Sequence, residues 1–285
     1  MHATAPTLAP TVRGTRALAD YLNEQIDQIE AGDIALRHDE NEDTIHDTRV
    51  AIRRLRSTLR VFAKVLDTAE IGDMDSELKW FAGLLGDVRD CQVQGSRFGD
   101  VLDGMPDELV LGPVRSRIDA HMNAIEFPAR EAIAEAMGSA RYQSMSAVLR
   151  RWRARPPIAG AVKTGTVRKR ARRAERKADR RLAAALESGD DAMLHRARKA
   201  AKRARYAAEL CKSLGRSKRT IKHYKQIQGL LGDHQDAVVA CEMLREIGVS
   251  AGTTVGENGF TYGLLYAREQ QVARQCRQQA RQLGK

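Results

Sequence analysis

Apolar residues recur every three to four positions along most of the chain, and no segment alternates convincingly with period two. Leu18, Leu22, Ile26 and Ile29 predict a first helix over 12–31. An acidic connector from Asp33 to Asp43 leads to a second helix over 44–67, with Asp43 or Thr44 as its N-cap. The apolar stripe of that helix is Ile45, Ile52, Leu55, Leu59, Phe62 and Leu66. Further helices are predicted over 74–86 and 88–103, separated by a break at Gly86-Asp87. Residues 113–155 read as helix interrupted near Pro128 and at Gly138-Ser139. The segment from Arg155-Pro156-Pro157 to Gly165 is the best boundary, because paired prolines cannot continue a helix. Beyond it, helices are predicted over 166–188, 191–214, 217–231 and 234–247, then a loop over 248–259 and a last helix to Leu283. The expected fold class is all-α.

The polar positions of the second helix carry a pattern of their own. His46, Arg53, Arg56 and Arg60 each lie one residue beyond an apolar-stripe position and Arg49 falls on the same face, so the five form a cationic stripe rotated by about 100°. The stripe recurs. IHDTRVAIRRLRSTLRVF (45–62) aligns with LHRARKAAKRARYAAELC (194–211), which pairs His46 with His195, Arg49 with Arg198, Arg53 with Lys202, Arg54 with Arg203 and Arg56 with Arg205. Each copy is followed by a second shared segment, GLLGDVRD (83–90) and GLLGDHQD (229–236). The first landmark shifts by 149 residues and the second by 146, a difference that a short deletion in the intervening loop explains. One helical unit written twice, with halves 11–155 and 156–283 packed into one compact unit about a pseudo-twofold axis, is the simplest architecture. Such an axis brings both cationic stripes into one site.

Charge sharpens this picture. The chain carries 48 Lys and Arg against 37 Asp and Glu, a net +11, yet residues 163–225 alone hold 22 cations and 6 anions. A field that uneven favours an anionic partner. Nucleic-acid stacking is poorly served, because aromatics make up only 5% and Trp80, Trp152 and Tyr206 are scattered. No Walker-type phosphate loop is present. The four cysteines form no CxxC or Cys/His cluster, so zinc and redox motifs are not expected and reduced thiols are. No apolar run reaches the roughly 20 residues of a membrane span. The N-terminus lacks the pattern of a secretion signal, so a soluble cytoplasmic protein is expected.

The spacing of the stripe suits a phosphate chain. Residues 46, 49, 53, 56 and 60 climb one face in steps of roughly 5 Å, and each guanidinium fork can donate two bonds to neighbouring oxygens. Cations this close repel one another, so carboxylates or a ligand should relieve them. Asp87 and Asp90, with Asp233 and Asp236, are expected to cap helix starts or to reach across and hold arginines; paired carboxylates binding Mg²⁺ is the alternative. His46 and His195 would add donors, and a bound anion would raise their pKa. A catalytic acid/base role lacks an accompanying nucleophile or metal cluster. The run 167–181 reads as a solvated face or as a widening of the anion surface, so changing Arg172 and Arg173 is expected to cost much less than changing Arg49 and Arg53. Glu209 stands where the first copy has Arg60 and is expected to pair with Lys212 or Arg205.

At HxxRxxxRRLR (46–56), the degenerate HxxRxxxKRxR (195–205) and the two LLGDxxD segments, the chain resembles the conserved histidine α-helical domain, or CHAD, family. The resemblance spans about 11–283. It implies two antiparallel four-helix bundles related by a pseudo-twofold, a basic groove between them, binding of inorganic polyphosphate and association with polyphosphate granules. It places His46, Arg49, Arg53, Arg56, His195, Arg198, Lys202 and Arg205 on the ligand. Arg54 and Arg203 rank lower because they lie about 100° round the helix; Arg60, Lys199 and Lys212 complete the cationic set. Many members are fused to a triphosphate tunnel domain, for which this chain has no room, and triphosphatase activity is therefore not expected. The expected function is non-enzymatic polyphosphate binding without metal or cofactor. A nucleic-acid-binding helical protein and an enzyme acting on phosphoanhydrides are the alternatives.

Overall fold

The computed structural model describes residues 12–38, 42–215 and 218–283. Its helices are α1 (Arg13–His38), α2 (Glu42–Phe62), the single turn α3 (Thr68–Ile71), α4 (Met74–Asp103), α5 (Val114–Gly138), α6 (Ala140–Ala154), α7 (Thr164–Ser188), α8 (Asp191–Leu210), α9 (Lys218–Gly252) and α10 (Phe260–Leu283). Among the described residues there is no strand, only an isolated antiparallel bridge between Leu66 and Ile158. The protein is all-α. None of these helices is long and apolar enough to cross a membrane.

Several boundaries differ from the sequence expectation, each for a tertiary reason. Helix α1 continues through Asp33 to His38 instead of ending near 31. Its last turns are held from outside: Tyr142 donates to Asp33 (2.9 Å), Arg37 donates to the Met137 carbonyl (3.2 Å), and Arg37 pairs with Asp33 one turn away. Asp43 and Thr44 lie inside α2 rather than capping it; the connector residues 39–41 fall outside the described residues. Helix α5 runs through Pro128, at an exposed position where the carbonyl freed by the missing N–H can bond water. Ser139 does divide α5 from α6, its hydroxyl capping the Tyr142 N–H at 3.2 Å.

Three hydrophobic clusters hold the helices together, and two of them join the halves. The first unites Leu22, Ile52, Phe81 and Trp152 with Val167, Ala171 and Leu210. The second packs Phe98 and Ile118 against Leu244 and Leu265. The third lies within α7 to α10 and is rich in alanine, with Ala178, Ala185, Ala197, Ala201 and Ala204 letting α7 and α8 close on one another. A buried ion pair between Arg97 of α4 and Glu269 of α10 adds a polar tie across the halves. The segment after α6 is pinned back on the first half, Asp67 donating to the Pro157 carbonyl and Ala159 to that of Val65, both at 3.0 Å.

Candidate anion-binding site

The apolar stripe of α2 is buried from Ile45 to Phe62, which fixes the rotation of the helix and leaves its cationic stripe at the edge of the core. The same holds for α8, whose buried stripe is Leu194, Ala197, Ala201 and Ala204. The two helices pack on one another, and their cations meet where they cross. Arg53 lies in the fields of Arg49 on its own helix and Arg198 on α8. Lys202, only 7% exposed, faces Arg53, Arg198 and Arg49. Among the described residues, Arg53, Arg198 and Lys202 form no ion pair, and the Arg198 Nε is buried without a hydrogen-bond partner. Burial, reinforced by these three arginines and only weakly opposed by Asp236, drives the Lys202 pKa down to about 5. The crossing is therefore a buried excess of positive charge.

Helices α4 and α9 shape this crossing through their LLGD segments. Sequence reasoning puts a helix break at each segment and the aspartates at helix starts. Instead α4 and α9 are continuous through Gly86 and Gly232, and all four aspartates lie mid-helix, where they cap nothing. The glycines have another purpose. A Cβ on Gly86 would lie 3.1 Å from the Arg49 guanidinium, and one on Gly232 would lie 3.4 Å from that of Arg198. Each glycine clears the path of the arginine that aligns with the other copy's, so the contact is made twice. Replacing Gly86 by Ala should raise helix stability by up to about 1 kcal/mol while displacing the Arg49 fork. The expected result is an unchanged or higher melting temperature with weaker anion binding, and unchanged binding would show that the position of Arg49 does not matter.

The aspartates differ among themselves. Asp90 pairs with Arg49 at 3.4 Å, whereas Asp236, its counterpart, makes no ion pair among the described residues. Burial raises the Asp236 pKa against the pull of Arg198 and Arg97. The Asp87 pKa is raised by burial and by Asp90, and Asp233 is exposed. Among the described residues no group of three His, Cys, Asp or Glu is placed to hold a metal ion.

Beyond the crossing, the expected rows divide. Arg56 and Arg60 turn to Asp75 at the start of α4, with Arg56 Nε at 3.2 Å and Arg60 gripping both carboxylate oxygens at 2.6–3.2 Å. Burial pushes the Asp75 carboxyl up, but these two arginines outweigh it and hold it below the usual range. Arg203 shares this side with Arg60, Arg181 and Arg56, and Lys199 lies in the fields of Arg203, Arg53, Arg198 and Lys79.

On the other side of the crossing, Glu209 accepts from Arg205 at 2.8 Å and Tyr21 at 3.3 Å and pairs with Arg54 at 3.4 Å, while Arg54 and Arg205 both lie near the Tyr206 ring. Arg54 and Arg205 thus share one carboxylate, which ties α1, α2 and α8 together. Lys212 sits exposed on the turn after α8.

His46 and His195 flank the crossing in matching surroundings. Burial and then Arg89 of α4 lower the His46 pKa. Burial and Lys199 lower that of His195, against a hydrogen bond that its ring donates to Gln235, the residue of α9 aligned with Arg89. The His195 Nδ1 is buried and unpartnered.

Sequence reasoning did not single out Lys79 of α4, and it left Arg173, Lys177 and Arg181 of α7 undivided within the run 167–181. The α7 group was legible, since Arg170, Arg173, Lys177 and Arg181 repeat at helical spacing. Arg173 lines a cavity with Arg60 and Arg203 whereas Arg172 does not, so the two cannot serve together as an indifferent control.

Residues 20–245 match the CHAD domain family. The chain belongs to the CHAD family. Two curated relatives, the uncharacterized proteins MT2285 and Rv2226 of Mycobacterium tuberculosis (strains CDC 1551 / Oshkosh and ATCC 25618 / H37Rv), are each 35% identical over 266 residues. The alignments cover 90% of this CHAD chain and 50% of each relative, so the chain spans about half their length. Among solved structures, PptA from Streptomyces chartreusis superposes with a TM-score of 0.77 at 22% identity, covering 96% of this chain and all of that one. The CHAD domain from the plant Ricinus communis superposes with a TM-score of 0.69 at 24% identity, covering 98% and 96%. Both share the CHAD fold.

Proposed function

We propose that this CHAD protein binds inorganic polyphosphate without chemically altering it, at the crossing of α2 and α8. The observation that carries this reading is the cluster of Arg49, Arg53, Arg198 and Lys202, in which Asp90 makes the one ion pair among the described residues and burial and the positive field together strip Lys202 of its proton. Clustered cations of this kind are costly in the free protein and are relieved by a ligand with dense negative charge. The unpartnered Arg198 Nε is a donor such a ligand can use, and so is His195 Nδ1 once the bound anion has protonated the ring. The repeated Gly–Arg contact supports reading the chain as two related bundles, 11–155 and 156–283, whose cationic rows form the two walls of one groove. In a cell, the chain would gather in the cytoplasm at polyphosphate granules.

Titration with sized polyphosphates at two salt concentrations tests the proposal. Affinity should rise with chain length and fall steeply with salt, as counterion release requires. Competition by duplex DNA or by RNA at equal phosphate concentration should fail. Displacement by either would favour a general nucleic-acid binder, and Mg²⁺-dependent release of orthophosphate, abolished in Asp87→Asn or His46→Ala, would favour an enzyme.

A further inference from the structure

We propose that the cavity between the C-terminal half of α2, α7 and α8 is a second phosphate subsite, which holds a distal segment of the chain bound at the crossing. The proposal rests on the polyphosphate reading and adds to it a basis for chain-length selection. The cavity has a volume of about 350 Å³ and is ringed by Arg60, Lys64, Arg170, Arg173, Lys177 and Arg203. Small side chains, Ala174 and Ala200 among them, form its floor. These apolar side chains give Arg170, Arg173 and Arg203 no partner and strengthen their field.

Helix α7 is two-sided in charge. Its buried residues Val167, Ala171, Ala178 and Leu182 fix its rotation. Arg170, Arg173 and Lys177 then border the cavity toward α2 and α8. Its acids lie elsewhere: Glu175 and Asp179 line a different cavity, beside Tyr224 and Leu283, and Asp179 accepts from the Tyr224 hydroxyl at 2.7 Å. No carboxylate is among the residues that line the cavity, and Asp75, which Arg60 of the lining holds, is engaged by Arg56 as well. Arg181 and Arg203 add to the positive field at Lys177.

The subsite is connected to the crossing. Lys199 lies in the fields of both Arg53 and Arg203, and Arg203 itself borders the cavity. A phosphate chain leaving Arg53 meets Lys199, then Arg203, then the α7 cations, without passing a carboxylate other than the engaged Asp75. In the opposite direction Glu209 stands beside Arg54 and Arg205. The path is polar in direction, open toward α7 and closed toward Glu209. Tripolyphosphate would occupy the crossing alone, and only long chains would reach both places.

The test compares two triple variants of equal charge change. Arg170→Ala with Arg173→Ala and Lys177→Ala strips the cavity wall. Lys169→Ala with Arg172→Ala and Arg176→Ala removes exposed cations of the same helix that do not border the cavity. Each is titrated with long-chain polyphosphate and with tripolyphosphate at two salt concentrations, after circular dichroism and a melt show that the fold is kept. The cavity variant should bind long chains about tenfold more weakly, with a log–log salt slope shallower by about 2–3. Its affinity for tripolyphosphate should stay within roughly twofold, because that short ligand sits at the crossing without touching the α7 side chains. The control should keep most of its long-chain affinity. Equal losses in the two variants, or an equal loss for both ligand lengths, would overturn the subsite while leaving the crossing intact. A wild-type protein that binds neither ligand would instead overturn the polyphosphate reading, and the subsite with it.

Discussion

Replacing Arg49 and Arg53 together by alanine should lower polyphosphate affinity by about 10²–10⁴-fold, because each charge-assisted hydrogen bond to the anion is worth about 1.5–3 kcal/mol. The fold should not suffer. Alanine is the best helix former, and Arg53 is buried against like charges, so its removal relieves repulsion. The one ion pair removed, Arg49 with Asp90, involves a carboxylate that is 68% exposed and therefore contributes little. Binding and a thermal melt of the double variant are measured beside Arg172→Ala with Arg176→Ala, which removes the same charge from exposed positions on α7. If both variants lose affinity equally, binding is diffuse attraction to a basic surface and the crossing is not a site.

Lys202→Met should move stability and binding in opposite directions. An ordinary lysine keeps its proton to pH 10.5, but Lys202 in the folded protein loses it near pH 5. Between those values the unfolded chain binds a proton that the folded chain does not, so Lys202 makes stability rise with pH across this window. Its cost is full below pH 5 and vanishes above 10.5. At neutral pH the folded protein holds Lys202 without its proton, and a methionine there removes the cost of stripping that proton, on the order of a few kcal/mol; each kcal/mol raises the melting temperature by about 2–4 °C. The Met variant should therefore be more stable than wild type at neutral pH, and its advantage should shrink as the pH is raised.

The same cation should be charged in the complex. A polyanion at the crossing raises the pKa of Lys202, His46 and His195, all of which lie low in the free protein. Wild type should then take up protons on binding and bind more tightly as the pH falls from about 8 toward about 6. Calorimetry in two buffers of different ionisation enthalpy reads that uptake directly, and Lys202→Met should reduce it. A buffer-independent heat would contradict the uptake, and a Met variant no more stable than wild type would contradict the cost of burying Lys202.

The helical fold and both cationic rows were readable from spacing, since burial of Ile52, Leu55 and Leu59 obliges Arg53 and Arg56 to lie at the core's edge. The LLGD segments were misread in one respect. A glycine followed by aspartate looks like a helix end, yet at Gly86 and Gly232 the glycine admits an arginine from another helix. Local propensity contains nothing of that neighbour. The C-terminal turns of α1 were missed for the same reason, because Tyr142 and the Met137 carbonyl hold them from 100 residues or more away in sequence.

The sequence by itself determined that this protein is all-α, that a cationic row is repeated, and that its positive charge is concentrated in 163–225. These follow from periodicity and composition, which are properties of the chain alone. Only the tertiary structure decided how the cations are divided. It set Arg49, Arg53, Arg198 and Lys202 together with little neutralisation, bound Arg56 and Arg60 to Asp75, and gave Arg54 and Arg205 to Glu209. It also turned Arg173 and Lys177 of α7 toward α2 and α8. Helical spacing sets which face a side chain occupies; which charges meet there depends on how two helices cross, and that is set by the packing of residues far apart in the chain.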